Sequence, residues 1–234
     1  MKKEKHSKLP FIIGLVSGIL LTINILQNNK KESHLPQENI IQKKLAQHVG
    51  EIKAAILTGQ IRSRYLKLFE ERPLFAHKAL HSHLETFILP GIAMYQILEK
   101  ELGNKDKALD WVDQIWEAVA NLQKQRMQKM GQLPFIFELF KKLTPVVMKN
   151  SFPPEGWKSS FIDEGENTLA FDMHSCFYLD ILKAYEVPEL TPVYCRMDEV
   201  IYDDFSPYVS FYRTHTLAIG GDCCNFRFKK TSKG

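Results

Sequence analysis

The residues best equipped for chemistry crowd into the last part of the chain, where Cys176, Cys195, Cys223 and Cys224 fall among Asp198, Arg213, His215 and Thr216. The sequence before residue 172 contains no cysteine. A thiol in a first helical turn is shifted toward thiolate by free amide groups and the helix dipole, so Cys176, next to a capping Ser175, is a candidate nucleophile. Cys195, Asp198 and Tyr202 share one flank of a helix, beside its core stripe of Val193, Met197, Val200 and Ile201. A carboxylate there can accept a proton, orient a water or pair with Arg213. Gly220-Gly221 reads as a two-residue hairpin turn, which pairs Leu217 with Cys224, His215 with Phe226 and Arg213 with Phe228. In that register Arg213, His215 and Cys224 share the apolar face with Phe211, Phe226 and Phe228, while Thr216 and Asn225 oppose each other on the outer face. An arginine on an apolar face needs a partner, either Asp198 or an anionic ligand.

The same residues allow other chemistries. Cys176, Cys195 and Cys224, joined by His174 or His215, offer soft zinc ligands, yet no CxxC pair is present and no metal is expected. A Cys176–Cys195 disulfide is the most credible of the pairings, and it would remove a nucleophile; adjacent Cys223 and Cys224 point to opposite faces. His77, His81 and Glu85 fall at i, i+4, i+8 on one helical face, but the general-base glutamate of a zinc-protease helix is missing, and a solvated polar face accounts for them.

A family resemblance rests on particular residues: Cys176, Val187-Pro-Glu-Leu190, Cys195-x-x-Asp198, Arg213-Thr-x-Thr216 and Gly220-Gly-Asp-x-Cys224-x-Phe226. Over residues 156–228 this resembles the L-2-amino-thiazoline-4-carboxylic acid hydrolase family. The resemblance implies a hydrolase acting on carbon–nitrogen bonds of a cyclic amidine, with water added at the C=N carbon and the ring opened. It implies a small-molecule substrate bearing a carboxylate and no cofactor. On this reading Cys176, Cys195, Asp198 and His215 are the catalytic candidates, with Asp198 or His215 as base. Arg213, Thr216 and Cys224 are the substrate-binding candidates. Similar proteins end in Cys-Asp-Phe, where this chain has Asn225. The alternative is a membrane-anchored, non-catalytic module that binds or senses a small molecule, with or without a cysteine-based zinc site.

These residues must be positioned by the rest of a 234-residue chain, long enough for one ordinary domain. A net charge of +4 gives no footprint for nucleic acid. Residues 9–26 form an uncharged, mostly apolar run flanked by Lys2, Lys3, Lys5 and Lys8 before and Lys30 and Lys31 after, with no cleavage pattern. The run predicts an uncleaved single-pass anchor, and the lysine bias places the following domain on the extracytoplasmic side. Gly14 and Gly18 have the spacing of a helix-pairing face, consistent with a homodimer. Residues 1–36 are thus tail, anchor and linker, and 37–234 are one hydrolase-like domain.

Within that domain, residues 37–150 carry helical periodicity. Ile40, Ile41, Leu45, Val49, Ile52 and Ile56 form a stripe that Ile61, Tyr65, Leu68 and Phe69 continue. Pro73 and Pro90-Gly91 mark breaks, and helices follow over 105–130, with Trp111, Ile115, Trp116, Val119 and Leu122 buried, and over 133–148. In 151–234 strands at 157–162 and 168–173, helices at 175–185 and 191–204, and the terminal hairpin make an antiparallel sheet of two hairpins with two intervening helices. The fold class is α+β, a helical bundle joined to that sheet.

Overall fold

The computed structural model describes residues 34–232. It is α+β and mostly helical, with one four-stranded antiparallel sheet. The first half contains α1 (Glu38–Val49), α2 (Glu51–Glu70), α3 (Lys78–His83), α4 (Leu89–Leu102), α5 (Lys105–Gly131) and α6 (Ile136–Ser151). Gly50, at φ +76°, separates α1 from α2, and the stripe does not cross it: Ile52 and Ile56 are exposed. Leu122 on α5 is exposed as well, while the other four residues of its stripe are buried.

Pro90 does not break the chain's path. Between α3 and α4 the helix widens into a π turn, Leu84–Ile88, before the proline that lacks an amide hydrogen. Two neighbouring carbonyls find hydroxyls instead: Glu85 accepts from Tyr65 at 3.2 Å and Phe87 accepts from Tyr194 at 3.0 Å. Gly91 is required here, because a Cβ would lie 1.9 Å from the Tyr194 hydroxyl.

The second half runs β1 (Ser159–Ile162), β2 (Thr168–Met173), α7 (Phe177–Ala184), α8 (Thr191–Tyr202), β3 (Val209–Tyr212) and β4 (Cys224–Lys230), with sheet order β1-β2-β4-β3. The terminal pair differs from the expected hairpin. Phe211 pairs with Phe228 and Tyr212 with Arg227, a register two residues away from the one a Gly220-Gly221 turn dictates. The ladder stops at Tyr212, and residues 213–223 form a loop with a 3₁₀ turn, Leu217–Ile219, that Gly220 closes at φ +85°. A shift of two keeps side chains on their faces, so Phe211, Cys224, Phe226 and Phe228 still point inward.

That inner face is covered by α6 and α8. Phe140 of α6 packs tilted against Phe228 with ring centroids 4.8 Å apart, and Tyr202 of α8 meets the same ring edge-on at 5.0 Å. Helix α8 is in turn tied to α5, where Arg196 pairs with both Asp113 and Glu117.

The expected membrane anchor is corrected. Among the described residues no helix is long and apolar enough to cross a membrane, so a single-pass localisation is not carried further. The run at 9–26, with Gly14 and Gly18, lies outside the described residues.

Candidate active site

The sheet and its helices do not close completely on one another. A cavity of about 130 Å³ remains between the inner face and α6, α7 and α8. The sheet contributes Phe171, Met173, Cys224, Phe226 and Phe228, and α6 contributes Phe140, Thr144, Val147 and Met148. Thr191, Tyr194, Cys195, Asp198 and Tyr202 of α8 also face it, at the i, i+3, i+4, i+7, i+11 spacing of one helical flank. Cys176 and Tyr178 enter from the start of α7. Among the described residues, Asp198 and Arg213 are the only charged ones in this lining.

Arg213 takes the first of the two partners anticipated for it. Its side chain is only 2% exposed, and its terminal nitrogens reach Asp198 Oδ2 at 3.1 Å, Glu199 Oε1 at 3.1 Å and the Cys195 carbonyl at 2.7 Å. Its guanidinium lies 5.0 Å from the Phe226 ring centroid. Its Nε hydrogen, although buried, has no acceptor. Burial raises the Asp198 carboxyl above its ordinary range, with Arg213 opposing the shift. A carboxylate in that setting is a better proton acceptor than one in water.

The thiols behave differently from expectation. All four cysteines are free, so the Cys176–Cys195 bond is not formed. Cys176 is the N-cap of α7, and the amides of Tyr178 and Leu179 do favour its thiolate. Burial outweighs them, pushing the thiol up to about 11. Cys195 is pushed up by burial to about 12 despite Arg213, and Cys224, which accepts from the Leu217 amide at 3.2 Å, is raised as well. All three are therefore neutral thiols near pH 7.

His215 and Thr216 are not brought into the cavity. Beyond Tyr212 the strand gives way to the loop, so His215 is exposed, with Nε2 3.4 Å from Cys223 Sγ and Nδ1 3.0 Å from Thr214 Oγ1. Thr216 is buried at the loop base, where its carbonyl receives the Gly221 amide at 3.0 Å. Asn225 alternates with Cys224 and Phe226 and so points away from the cavity. Its Oδ1 accepts the amides of Thr214 and His215, both at 3.0 Å, and its Nδ2 donates to Thr214 Oγ1 at 2.8 Å. A carboxylate at this position could accept the same two amides, with the threonine hydroxyl reversing its role. Residue 225 fastens the loop that delivers Arg213.

Residues 81–228, more than half the chain, match the family model for L-2-amino-thiazoline-4-carboxylic acid hydrolase. The chain belongs to this family. The match begins in α3, so it takes in most of the helical half as well as the motifs after residue 156. A search of curated proteins returns no match.

In this member of the hydrolase family, one buried polar residue escaped the sequence reading. His83 is fully buried, with Nε2 2.9 Å from the Ser151 carbonyl and Nδ1 3.0 Å from the Tyr178 hydroxyl. Trp157 and Phe152 pack against its ring. Desolvation lowers it to about 4, so it is neutral at physiological pH. The signal was present: His83 occupies a position on the stripe formed by Leu80, Leu84, Phe87 and Ile88. The more conspicuous His77 and His81 have structural roles. His77 Nδ1 caps α3 by accepting the Ala79 amide at 3.2 Å, and His81 bonds the Phe75 backbone beside the Arg72–Glu85 pair. Among the described residues no group of three or more histidine, cysteine or acidic side chains is placed to hold a metal ion.

Proposed function

We propose that this chain is a hydrolase that opens a small cyclic amidine of the 2-amino-thiazoline type by adding water at the C=N carbon. The observation that carries this reading is Asp198. It is one carboxyl group in an aromatic cavity, raised by burial and oriented by Arg213. Asp198 takes a proton from a water as its oxygen bonds to the amidine carbon, and passes that proton to the ring nitrogen as the C=N bond becomes single. The hydroxyl of the tetrahedral carbon then gives its proton to Asp198 as a C=O bond forms and a ring heteroatom departs, and Asp198 delivers that proton to the leaving group. Three neutral thiols line the walls of such a pocket, and water is the attacking group in preference to Cys176. The non-catalytic reading drew on the departure at Asn225, and a residue facing away from the cavity gives it little weight.

The test is incubation of the full chain with 2-amino-thiazolines bearing either a carboxylate or an alkyl group at C4, read by mass spectrometry as the gain of one water. Ring opening by wild type, reduced about a hundredfold or more in Asp198→Asn, is expected from the loss of a general base. Intact rings throughout would sink the hydrolase reading, and a covalent adduct on Cys176 would replace water with the thiol.

A further inference from the structure

The polar atoms facing the cavity define what it can hold, and most of their hydrogens are already committed. Thr144 donates to the Phe140 carbonyl at 2.8 Å, Thr191 to the Pro188 carbonyl at 2.8 Å and Tyr194 to the Phe87 carbonyl at 3.0 Å. Tyr202 is not free either. For Tyr178 the direction follows from His83. The Ser151 carbonyl can only accept, so His83 Nε2 carries the ring hydrogen and Nδ1 is a bare acceptor. Tyr178 must therefore donate to Nδ1, which leaves its oxygen only lone pairs to offer.

The charges point the same way. Arg213, the only cation of the lining, is matched by Asp198 and Glu199, so one arginine faces two carboxylates. What Arg213 has left is the single Nε hydrogen without a partner. A ligand carboxylate entering here would meet aromatic walls, acceptor oxygens and an arginine already paired with Asp198, and burying an anion without a free cation is costly. An amidine edge suits these atoms, with N–H groups for Asp198 and Tyr178 and a lone pair for the Arg213 Nε hydrogen.

Resting on the hydrolase reading above, we infer that this chain's substrate is a cyclic amidine carrying an uncharged apolar substituent where the family's namesake carries a carboxylate. Phe140, Phe171 and Phe226 would surround that substituent. The volume of about 130 Å³ is of the order of the roughly 150 Å³ apolar cavity that holds a benzene ring, so the site takes a single small ring and its substituent must be compact.

Two compounds of nearly equal size decide it: 2-amino-4-isopropyl-thiazoline and 2-amino-thiazoline-4-carboxylate, compared on the wild-type full chain by kcat/KM and by calorimetric Kd. The isopropyl compound should be favoured by at least about tenfold in both, because only it avoids burying an unpaired anion. Equal values, or preference for the carboxylate, would overturn the inference while leaving ring hydrolysis intact. If neither ring is opened, the hydrolase reading falls, and the two Kd values still judge the inference alone. Tyr178→Phe adds a separate reading: it should weaken the 2-amino compound relative to its 2-methyl analogue by several-fold, and unchanged discrimination would remove Tyr178 from the recognition of the amino group.

Discussion

Arg213 and Arg227 stand on opposite faces of the same sheet, and each is given two carboxylates. Arg227, on the outer face, bonds Glu164 through Nε and Asp172 through Nη1 at 2.7 Å, with the Phe171 carbonyl at 3.3 Å and the Phe226 carbonyl at 3.1 Å beside it. Arg213, on the inner face, is more deeply buried and yet keeps one hydrogen without an acceptor. An ion cluster with no buried hydrogen left unpaired, on a partly wet outer face, is explained by architecture alone. A cluster left incomplete beside an apolar cavity holds polarity in reserve for something that enters it.

The comparison breaks first on stability. Arg213→Met strands Asp198 in the cavity wall and should cost about 3 kcal/mol or more, whereas Arg227→Met should cost about 1 kcal/mol because water can reach Glu164. Urea unfolding of the two variants measures this, and equal losses would mean that the two faces do not differ in kind.

The histidines extend the contrast to pH. His83 is lowered from 6.5 to about 4, so between those values the unfolded chain binds more protons than the folded one and stability rises with pH. Acidification through this window should therefore remove about 3 kcal/mol, since a tenfold difference in proton affinity between the folded and unfolded chain is worth about 1.4 kcal/mol. His83→Gln should flatten that part of the curve. A wild-type curve unchanged between pH 6.5 and 4 would show that His83 stays solvated or protonated in the fold.

Smaller effects belong to the outer face. Asn225→Leu deprives the Thr214 and His215 amides of their acceptor and should cost about 2 kcal/mol, while Asn225→Asp should stay within about 0.5 kcal/mol. Thermal unfolding separates them, and a large loss in Asn225→Asp would return the charge at this position to the functional account. His174→Ala, which removes the 2.8 Å contact of an exposed ring with Ser160, should change stability by less than about 0.5 kcal/mol.

Much of this was legible in the chain, for identifiable reasons. The helices after Lys105 and the strand Thr168–Met173 follow from periodicity, which burial enforces directly. Cys224 lines the cavity beside Arg213, Asp198 and Cys195 although the hairpin register differs by two from that of a Gly220-Gly221 turn, because an even shift keeps Cys224 on the inner face. His215 and Thr216 were misplaced because a side chain, Asn225, takes over the backbone amides beyond Tyr212, and no local pattern announces such a substitution. The raised thiol of Cys176 depends on how many apolar groups surround it, a quantity fixed by α6 and the sheet rather than by its own helix. His83 was hidden by its neighbours, whose spacing resembles a metal site more closely.

The π turn between α3 and α4 bears on the lengths this chain can tolerate. It holds one residue more than an α-helical turn, and that surplus sets the carbonyls of Glu85 and Phe87 opposite Tyr65 of α2 and Tyr194 of α8. Removing a single residue between His83 and Leu89 would restore a regular helix, but it would rotate α4 by about 100° relative to α3. Both hydroxyls would lose their acceptors, and His83 could no longer face Tyr178 while Gly91 faces α8. The loop at 163–167, joining β1 to β2 at the surface, imposes no helical phase and can change length as long as Glu164 still reaches Arg227. Insertions and deletions in relatives should therefore gather at the β1–β2 loop and avoid the five residues from Leu84 to Ile88.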